Sequence, residues 1–146
     1  MARDTFPIIA HTILRRGDDV LLLRRVNTGF ADGLYALPGG HVKAGEPVTG
    51  AAVRECREET GLTIEVRDLV PVCVMPYIMP GGQGVDFIFR CERFTGEPRI
   101  GEHERCDELR WCHVDALPTN TVGFVREVVA HVAQDPWLIE HGWESG

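Results

Sequence analysis

The sequence has no apolar run of membrane-spanning length and no excess of basic residues. Its 146 residues include 15 Lys or Arg and 22 Asp or Glu, which gives a formal net charge of −7 at pH 7. Without a basic footprint the chain is not expected to bind a nucleic-acid polymer, and without a long apolar run it is not expected to enter a membrane. The first residues also lack the apolar segment of a secretory signal. We therefore expect a cytoplasmic protein.

Cysteine pairs of the kind that bind zinc are missing as well. The five cysteines are an odd number, and no two of them have the C-x-x-C spacing: Cys56, Cys73, Cys91, Cys106 and Cys112. This usage is typical of reduced thiols rather than of a disulfide framework or a zinc site. The hydrophobic content of 44% and the charged content of 25% are typical of a globular protein. At this length we expect one domain, covering residues 1–146.

The strongest pattern in the sequence is a glycine turn followed by a short helix, in residues 40–62. Pro47 suits the first position of a helix, where a missing N–H costs nothing, and Gly61 suits the left-handed residue beyond the last turn. At about 100° per residue, one face of this helix is apolar and consists of Val48, Ala51, Ala52 and Cys56.

Acidic side chains fall on the same face. Glu55 and Glu59 project onto it and Glu58 borders it, whereas Arg54 and Arg57 are predicted to point toward water. Buried carboxylates must be neutralised by cations, metal ions or protons. Oxygen ligands on one rigid face suit Mg²⁺ or Mn²⁺, which bind carboxylates and substrate phosphates together. The alternative is a solvated helix held by i,i+4 pairs of Glu and Arg; a Ca²⁺ loop is disfavoured because the EF-hand spacing is absent.

This stretch resembles the signature of the Nudix hydrolases, which is a glycine, five residues, Glu, seven residues, then Arg-Glu-apolar-any-Glu-Glu-any-Gly-apolar. Every specified position is filled, by Gly40, Glu46, Arg54, Glu55, Cys56, Glu58, Glu59, Gly61 and Leu62. Cys56 is the weakest match, since that position usually holds an aliphatic residue. The preceding Leu-Pro-Gly-Gly, residues 37–40, is also common in the family.

The resemblance implies an α+β fold, the Nudix-type α/β/α sandwich, with a mixed β-sheet and the signature forming loop–helix–loop on one face. It implies that Mg²⁺ (or Mn²⁺) is held by the three glutamates of the helix and by the Gly39 carbonyl. Arg54 would orient these carboxylates and Glu46 would fix the loop, with Gly40 and Gly61 as structural glycines. Family members often supply one more glutamate, as metal ligand or base, from a loop before the last strand.

In this chain, Glu102 fits that position best and Glu104 second. The alternative for both is a solvated acidic loop, which composition favours. Ahead of the glycine turn, Arg25 is a candidate phosphate contact because a guanidinium binds phosphate through two hydrogen bonds; a solvated strand end is its alternative. A substrate role for His41 competes with a packed or solvated histidine.

The implied reaction is hydrolysis of a phosphoanhydride in a nucleoside diphosphate linked to another group. The small size of the chain, Arg25 and Asn120 favour a MutT-like hydrolase of nucleoside triphosphates, oxidised purine nucleotides included, which releases pyrophosphate. In such relatives an asparagine at the position of Asn120 reads the purine edge; its alternative role is the N-cap of a helix. ADP-ribose, a dinucleoside polyphosphate, a nucleotide sugar and a non-catalytic nucleotide-binding module remain open.

Hydrophobic patterns predict the remaining elements. Strands are expected over 6–14, 20–23, 34–37, 63–74, 85–91 and 109–114, the first two as a hairpin, and a second helix over Thr121 to about Gln134, capped by Thr119 or Asn120. Pro76, Pro80 and Gly81-Gly82 predict a loop near the substrate opening. Phe87 and Phe89 are expected to pack in the core rather than stack on a base. Trp137 and Trp143 are expected to pack on the domain or on a second subunit, so a homodimer is a further expectation.

Overall fold

A mixed seven-stranded sheet runs through the computed structural model, which describes residues 2–130 and 137–143. The strands are β1 Ile8–Arg16, β2 Asp19–Arg25, β3 Tyr35–Ala36, β4 Gly39–His41, β5 Val70–Met79, β6 Gly82–Cys91 and β7 Cys106–His113. Their order is β3-β2-β1-β6-β5, with β4 also paired to β1 and β7 to β2. β1 and β6 are parallel, and the other pairs of these strands are antiparallel. The predicted hairpin of the first two strands is confirmed.

Two helices cover the faces of this sheet. Helix α1 spans Val48–Thr60 and helix α2 spans Gly123–Ala130. Successive residues of a strand point to opposite faces, so the neighbours Ile13 and Leu14 of β1 enter different cores. Ile13 packs with the buried valines of α2, and Leu14 packs with Cys56 of α1. The α/β/α sandwich with a mixed sheet, implied by the resemblance, is therefore confirmed.

The segment between α1 and β6 departs from the prediction. The expected strand over 63–74 is instead a bridge at Thr63, a 3₁₀ turn over Val66–Asp68, and then β5. The expected loop at Pro76 is wrong, because β5 continues through this proline to Met79. β5 ends the strand order at one edge of the sheet, where a proline's missing N–H is tolerated. The loop that remains near the cleft is Pro80 and Gly81.

The helix ends agree in part with the sequence. Gly61 ends α1 with φ of 74°, and its N–H donates to the Arg57 carbonyl at 3.0 Å, as predicted. Pro47 precedes the first helical residue instead of occupying it. Since α2 begins at Gly123, neither Thr119 nor Asn120 caps it. The predicted continuation of α2 to Gln134 lies largely outside the described residues.

The aromatic and sulfur-containing residues largely follow their predicted roles. Phe89 is buried in the core on the α1 side of the sheet, with Phe87 packed against it. All five cysteines are buried and unpaired, and burial raises the pKa of the Cys56 thiol to about 11. Trp137 and Trp143 are exposed, so the homodimer stays a prediction. No helix within the described ranges is long and apolar enough to cross a membrane.

Candidate active site

The glutamates of α1 lie against the glycine turn that precedes the helix. Gly39 donates its backbone N–H to Glu59 Oε1 at 3.1 Å. Gly40 faces Glu55 so closely that an added Cβ would lie 2.6 Å from the carboxylate carbon. Such a contact is shorter than real Cβ atoms show. The bare backbone of Gly40 therefore makes room for the Glu55 carboxylate, and the Gly39 N–H holds the Glu59 carboxylate beside it, at the edge of β4.

Arg54 lies among these carboxylates, so the prediction that it points toward water is wrong. Its Nη1 donates to Glu55 Oε1 at 2.8 Å and to Glu58 Oε2 at 3.2 Å. Its Nε donates to Glu46 Oε2 at 2.7 Å, and Nη2 reaches the His41 carbonyl at 3.1 Å. A helical projection could not show this, because two of the partners precede the helix: His41 ends β4, and Glu46 lies in the loop between β4 and α1. This placement suits the orienting role that the resemblance implies for Arg54.

Glu46 holds the loop as well as the guanidinium. The Arg54 guanidinium and the Lys43 backbone N–H, which donates at 3.1 Å, lower the pKa of Glu46 to about 2. A carboxyl whose pKa is lower in the folded chain than in the unfolded chain stabilises the fold while it is ionised. That contribution is complete above the usual pKa near 4.5 and disappears as the pH falls toward 2.

Glu46→Gln is therefore expected to lower the melting temperature most at neutral pH. The gap between wild type and variant should narrow as the pH falls from about 6 to about 3, because the wild type then loses the stabilisation that the variant never had. Thermal unfolding by circular dichroism at several pH values measures the gap. Glu97→Gln, at an exposed glutamate, is the control and should give a small gap at every pH. A Glu46→Gln gap that widens in acid would contradict this role.

Glu59 is a buried carboxyl group of the site, and its pKa is strongly raised. Burial raises the pKa of Glu59 well above its usual range, and the neighbouring Glu55 carboxylate raises it further. The Gly39 N–H opposes this effect and the charge of Glu102 adds to it. Within residues 2–130 and 137–143, no three acidic, His or Cys side chains already converge as a metal cage. The positive charge beside Glu55 and Glu58 comes from the Arg54 guanidinium. Hard carboxylate oxygens crowded in this way fit the donor chemistry that Mg²⁺ and Mn²⁺ prefer.

The loop before β7 is attached to the end of α1. The Gly101 N–H donates to the Glu59 carbonyl at 3.2 Å, and a Cβ at this position would overlap the Glu58 carbonyl. The Arg99 N–H donates to the Thr60 carbonyl at 2.8 Å. These contacts bring the adjacent Glu102 to the cleft, whereas Glu104 is absent from its lining. The preference for Glu102 over Glu104 is consistent with this placement, and its role stays a prediction.

A cleft of about 1080 Å³ opens over the glutamates. We call the part of its lining formed by the carboxylates, the glycine turn and Arg54 the charged end, and the part formed by apolar side chains, among them Phe6, Met75, Tyr77, Met79 and Phe124, the apolar end. Such a mixture of apolar wall and a few polar groups is typical of small-molecule sites. The cleft therefore offers a charged end and an apolar end to one ligand.

The three predicted substrate contacts differ in position. Arg25 and His41 line the cleft. Arg25 also holds the following loop, through the Phe30 carbonyl at 2.8 Å and the Thr28 hydroxyl at 3.1 Å. Asn120 is exposed, is absent from the cleft lining, and donates its amide to the Gly33 carbonyl at 2.9 Å. Its role in base recognition stays a prediction.

Sequence reasoning missed a pair of side chains at the apolar end. His11 Nδ1 donates to Asp86 Oδ2 at 2.6 Å, and both residues line the cleft. The available signal was an aspartate inside the apolar strand Val85-Asp86-Phe87-Ile88-Phe89, on the inward face that it shares with Ile88. Its partner could not be read from the sequence, because His11 lies 75 residues away.

Comparison with known protein families shows which family this chain belongs to. The family model of the NUDIX domain matches residues 5–132. The chain belongs to the Nudix family. The match covers the sheet from β1 to β7, the signature loop and helix, and all of described α2.

Curated relatives of this Nudix chain include two characterised kinds of hydrolase. The ADP-ribose pyrophosphatase of Methanocaldococcus jannaschii is 39% identical over 106 residues, which are 73% of this chain and 61% of that protein. The NAD-capped RNA hydrolase NudC of Pseudomonas aeruginosa is 34% identical over 106 residues, which are 73% of this chain and 36% of that protein. The chain thus spans about three fifths of the length of the archaeal pyrophosphatase and about a third of the length of NudC.

Solved structures agree with the Nudix fold. The MutT NUDIX hydrolase of Burkholderia pseudomallei has a TM-score of 0.82 and 30% sequence identity, covering 89% of this chain and all of that chain. The E. coli ORF135 protein has a TM-score of 0.70 at 23% identity, covering 86% of this chain and 87% of that chain. At that identity the second likeness shows the fold alone.

Proposed function

We propose that this Nudix chain is a hydrolase that uses Mg²⁺ or Mn²⁺ to cleave a phosphoanhydride bond in a nucleoside diphosphate linked to another group. The observation that supports this most directly is the crowding of Glu55 against the bare backbone of Gly40, with Glu59 held beside it by the Gly39 N–H, at the charged end of the cleft. Such carboxylates are costly without a cation, and a bound polyphosphate brings divalent cations with it.

The metal ligands in this proposal are Glu55, Glu58 and Glu59, with the Gly39 carbonyl and Glu102. When bound, the metal neutralises phosphate charge and activates water for attack on phosphorus. A metal binds the ionised form of a carboxyl group, and the Gly39 N–H stabilises that form of Glu59 against the effect of burial. A bound cation would stabilise it further.

The other residues of the charged end position these groups. The Arg54 Nη1 bridges Glu55 and Glu58 by one hydrogen bond to each, which leaves their other oxygens for the proposed metal. Glu46 fixes that guanidinium. In this proposal Glu102, which the bonds of its neighbour Gly101 bring to the cleft, takes a proton from the attacking water. Arg25 and His41, which also line the cleft, contact the substrate phosphates.

For the substrate, we propose a nucleoside triphosphate, oxidised purine nucleotides included, which is cleaved to the monophosphate and pyrophosphate. The small size of the chain, Arg25 and Asn120 favour this substrate, and the likeness to the Burkholderia MutT NUDIX hydrolase structure over all of its length agrees with a chain of this size. ADP-ribose is the second candidate, because the archaeal relative at 39% identity is named for its cleavage. We place the activity in a single cytoplasmic domain.

A product assay with Mg²⁺ separates these candidates. Nucleoside triphosphates, an oxidised purine triphosphate and ADP-ribose are each incubated with the chain, and the products are resolved by anion-exchange chromatography. We expect monophosphate and pyrophosphate from a triphosphate at the highest kcat/KM. A higher kcat/KM for ADP-ribose, with AMP and ribose 5-phosphate as products, would move the assignment to the second candidate. Tight nucleotide binding with no turnover of any compound would reject hydrolysis and leave a nucleotide-binding module.

A further inference from the structure

Asp86 is a buried carboxylate that the proposed chemistry does not use. It lies in the middle of β6, between Ile9 of β1 and Met75 of β5, and is 2% exposed. Its Oδ2 accepts the His11 Nδ1 hydrogen bond, whereas its Oδ1 is buried and accepts none from the described residues. A buried oxygen without a donor is costly. An apolar residue would pack at this position without that cost.

The groups around Asp86 do not satisfy this oxygen. Burial raises the pKa of Asp86 and the neighbouring His11 lowers it. Its charge in turn contributes to the raised pKa of Cys73 and of Tyr77, both on β5. Neither residue donates a hydrogen bond to Asp86 in the described structure. His11 thus fixes the Asp86 carboxylate through Oδ2, and no described residue donates a hydrogen bond to Oδ1.

His11 and Asp86 line the same cleft as the α1 glutamates. His11 packs against Phe124, with ring centroids 5.5 Å apart, and both rings line the cleft with Asp86. A Cβ on Gly39 would overlap the His11 ring. The glycine that binds Glu59 therefore also leaves space for His11, so the charged end and the apolar end meet at this residue. A ligand with its phosphates at the glutamates would extend its other part toward Asp86.

We propose that Asp86, positioned by His11, determines base specificity by accepting a hydrogen bond from the exocyclic amine of adenine or cytosine. A carboxylate oxygen accepts and cannot donate, so it disfavours a carbonyl oxygen at the same place. Guanine presents two adjacent donors that suit both oxygens of a free carboxylate, but Oδ2 is already taken by His11. This inference rests on the proposed function, in that it assumes a nucleotide in the cleft.

Calorimetric titration with nucleoside monophosphates tests the inference without hydrolysis, since monophosphates contain no phosphoanhydride. AMP is compared with IMP and CMP with UMP; in each pair the amine becomes a carbonyl and the adjacent ring nitrogen changes from an acceptor to an N–H donor, so only the amino member has a donor at the exocyclic position. We expect the wild type to bind the amino member at least about tenfold more tightly in one pair or both, the range for a hydrogen bond to a charged group. Equal affinities, tighter binding of GMP than of AMP and CMP, or no measurable binding of any of them would overturn it.

Asp86→Asn replaces one accepting carboxylate oxygen by an NH₂ group, which donates, and keeps the shape of the side chain. If its amide oxygen accepts from His11, its NH₂ faces the ligand, and the amino preference should fall to about one or invert. Asp107→Asn makes the same change at an exposed carboxylate paired with Arg24 outside the cleft, and should keep the wild-type ratio. An Asp86→Asn protein with wild-type unfolding and an unchanged ratio would overturn the inference. Should that variant not fold, the wild-type titrations decide alone. A chain that shows the amino preference but cleaves no nucleotide refutes the proposed function and not this inference.

Discussion

Glu58→Gln is expected to lower kcat about 10³-fold, because it removes one negative charge from the proposed metal ligands, a loss of several kcal/mol of transition-state stabilisation. The side chain of Glu58 is 44% exposed, so the substitution removes little packing. Arg54 keeps its bonds to Glu46 and Glu55 in the variant, so the loop should stay in place. Initial rates on the best substrate with saturating Mg²⁺ measure the effect.

The matched control for this variant is Glu65→Gln. Glu65 is an exposed glutamate that pairs with Arg67 away from the cleft, and its loss should leave both kcat and the melting temperature unchanged. Both variants are compared with wild type by thermal unfolding. If Glu58→Gln turns over substrate at the wild-type rate with an unchanged metal requirement, Glu58 is not a ligand.

Gly40→Ala is expected to lower kcat/KM by about 10²-fold, the cost of moving a reacting group by about 1 Å. The new Cβ would lie 2.6 Å from Glu55 Cδ and Oε1, so the carboxylate has to move away. The affected atoms are the end of a side chain rather than backbone. The fold should therefore survive, and the loss should appear in activity at fixed metal concentration.

Gly123→Ala is the control for Gly40→Ala. Gly123 is the first residue of α2, and a Cβ there meets no atom within 4 Å. This variant should keep wild-type activity, which shows that adding a methyl group to a glycine is not harmful in itself. Wild-type kcat/KM in the Gly40→Ala protein would mean that the placement of Glu55 does not matter for turnover.

The helix that carries the candidate site could be predicted because its signals are local. Gly61 ends α1 through its own positive φ, and the 100° periodicity correctly placed Ala51, Ala52 and Cys56 in the core. The same periodicity failed for Arg54. It describes a helix surrounded by water, whereas the loop from residue 41 to residue 46 covers that side of α1 and turns the guanidinium inward.

Elements defined by long-range pairing were predicted less well. The turn signal at Pro76 predicts a loop, but β5 runs through this proline at the end of the strand order, and its carbonyl accepts the His141 N–H at 3.0 Å. Asn120 does not cap α2, since its amide donates to the Gly33 carbonyl, 87 residues earlier in the chain; its role in base recognition stays a prediction. The His11–Asp86 pair belongs to the same class, since parallel pairing of β1 and β6 brings the two residues together. No local pattern contains these contacts.

We propose above that the carboxylates of α1 hold a divalent cation beside a substrate phosphate. A crystal of the wild-type chain, soaked with Mn²⁺ and a non-hydrolysable nucleotide, tests this placement because manganese is located by its anomalous scattering. We expect a manganese peak between Glu55 and Glu59, next to Gly39 and in contact with a phosphate oxygen. A bound nucleotide with manganese elsewhere, and with Arg54 alone neutralising these carboxylates, would contradict it.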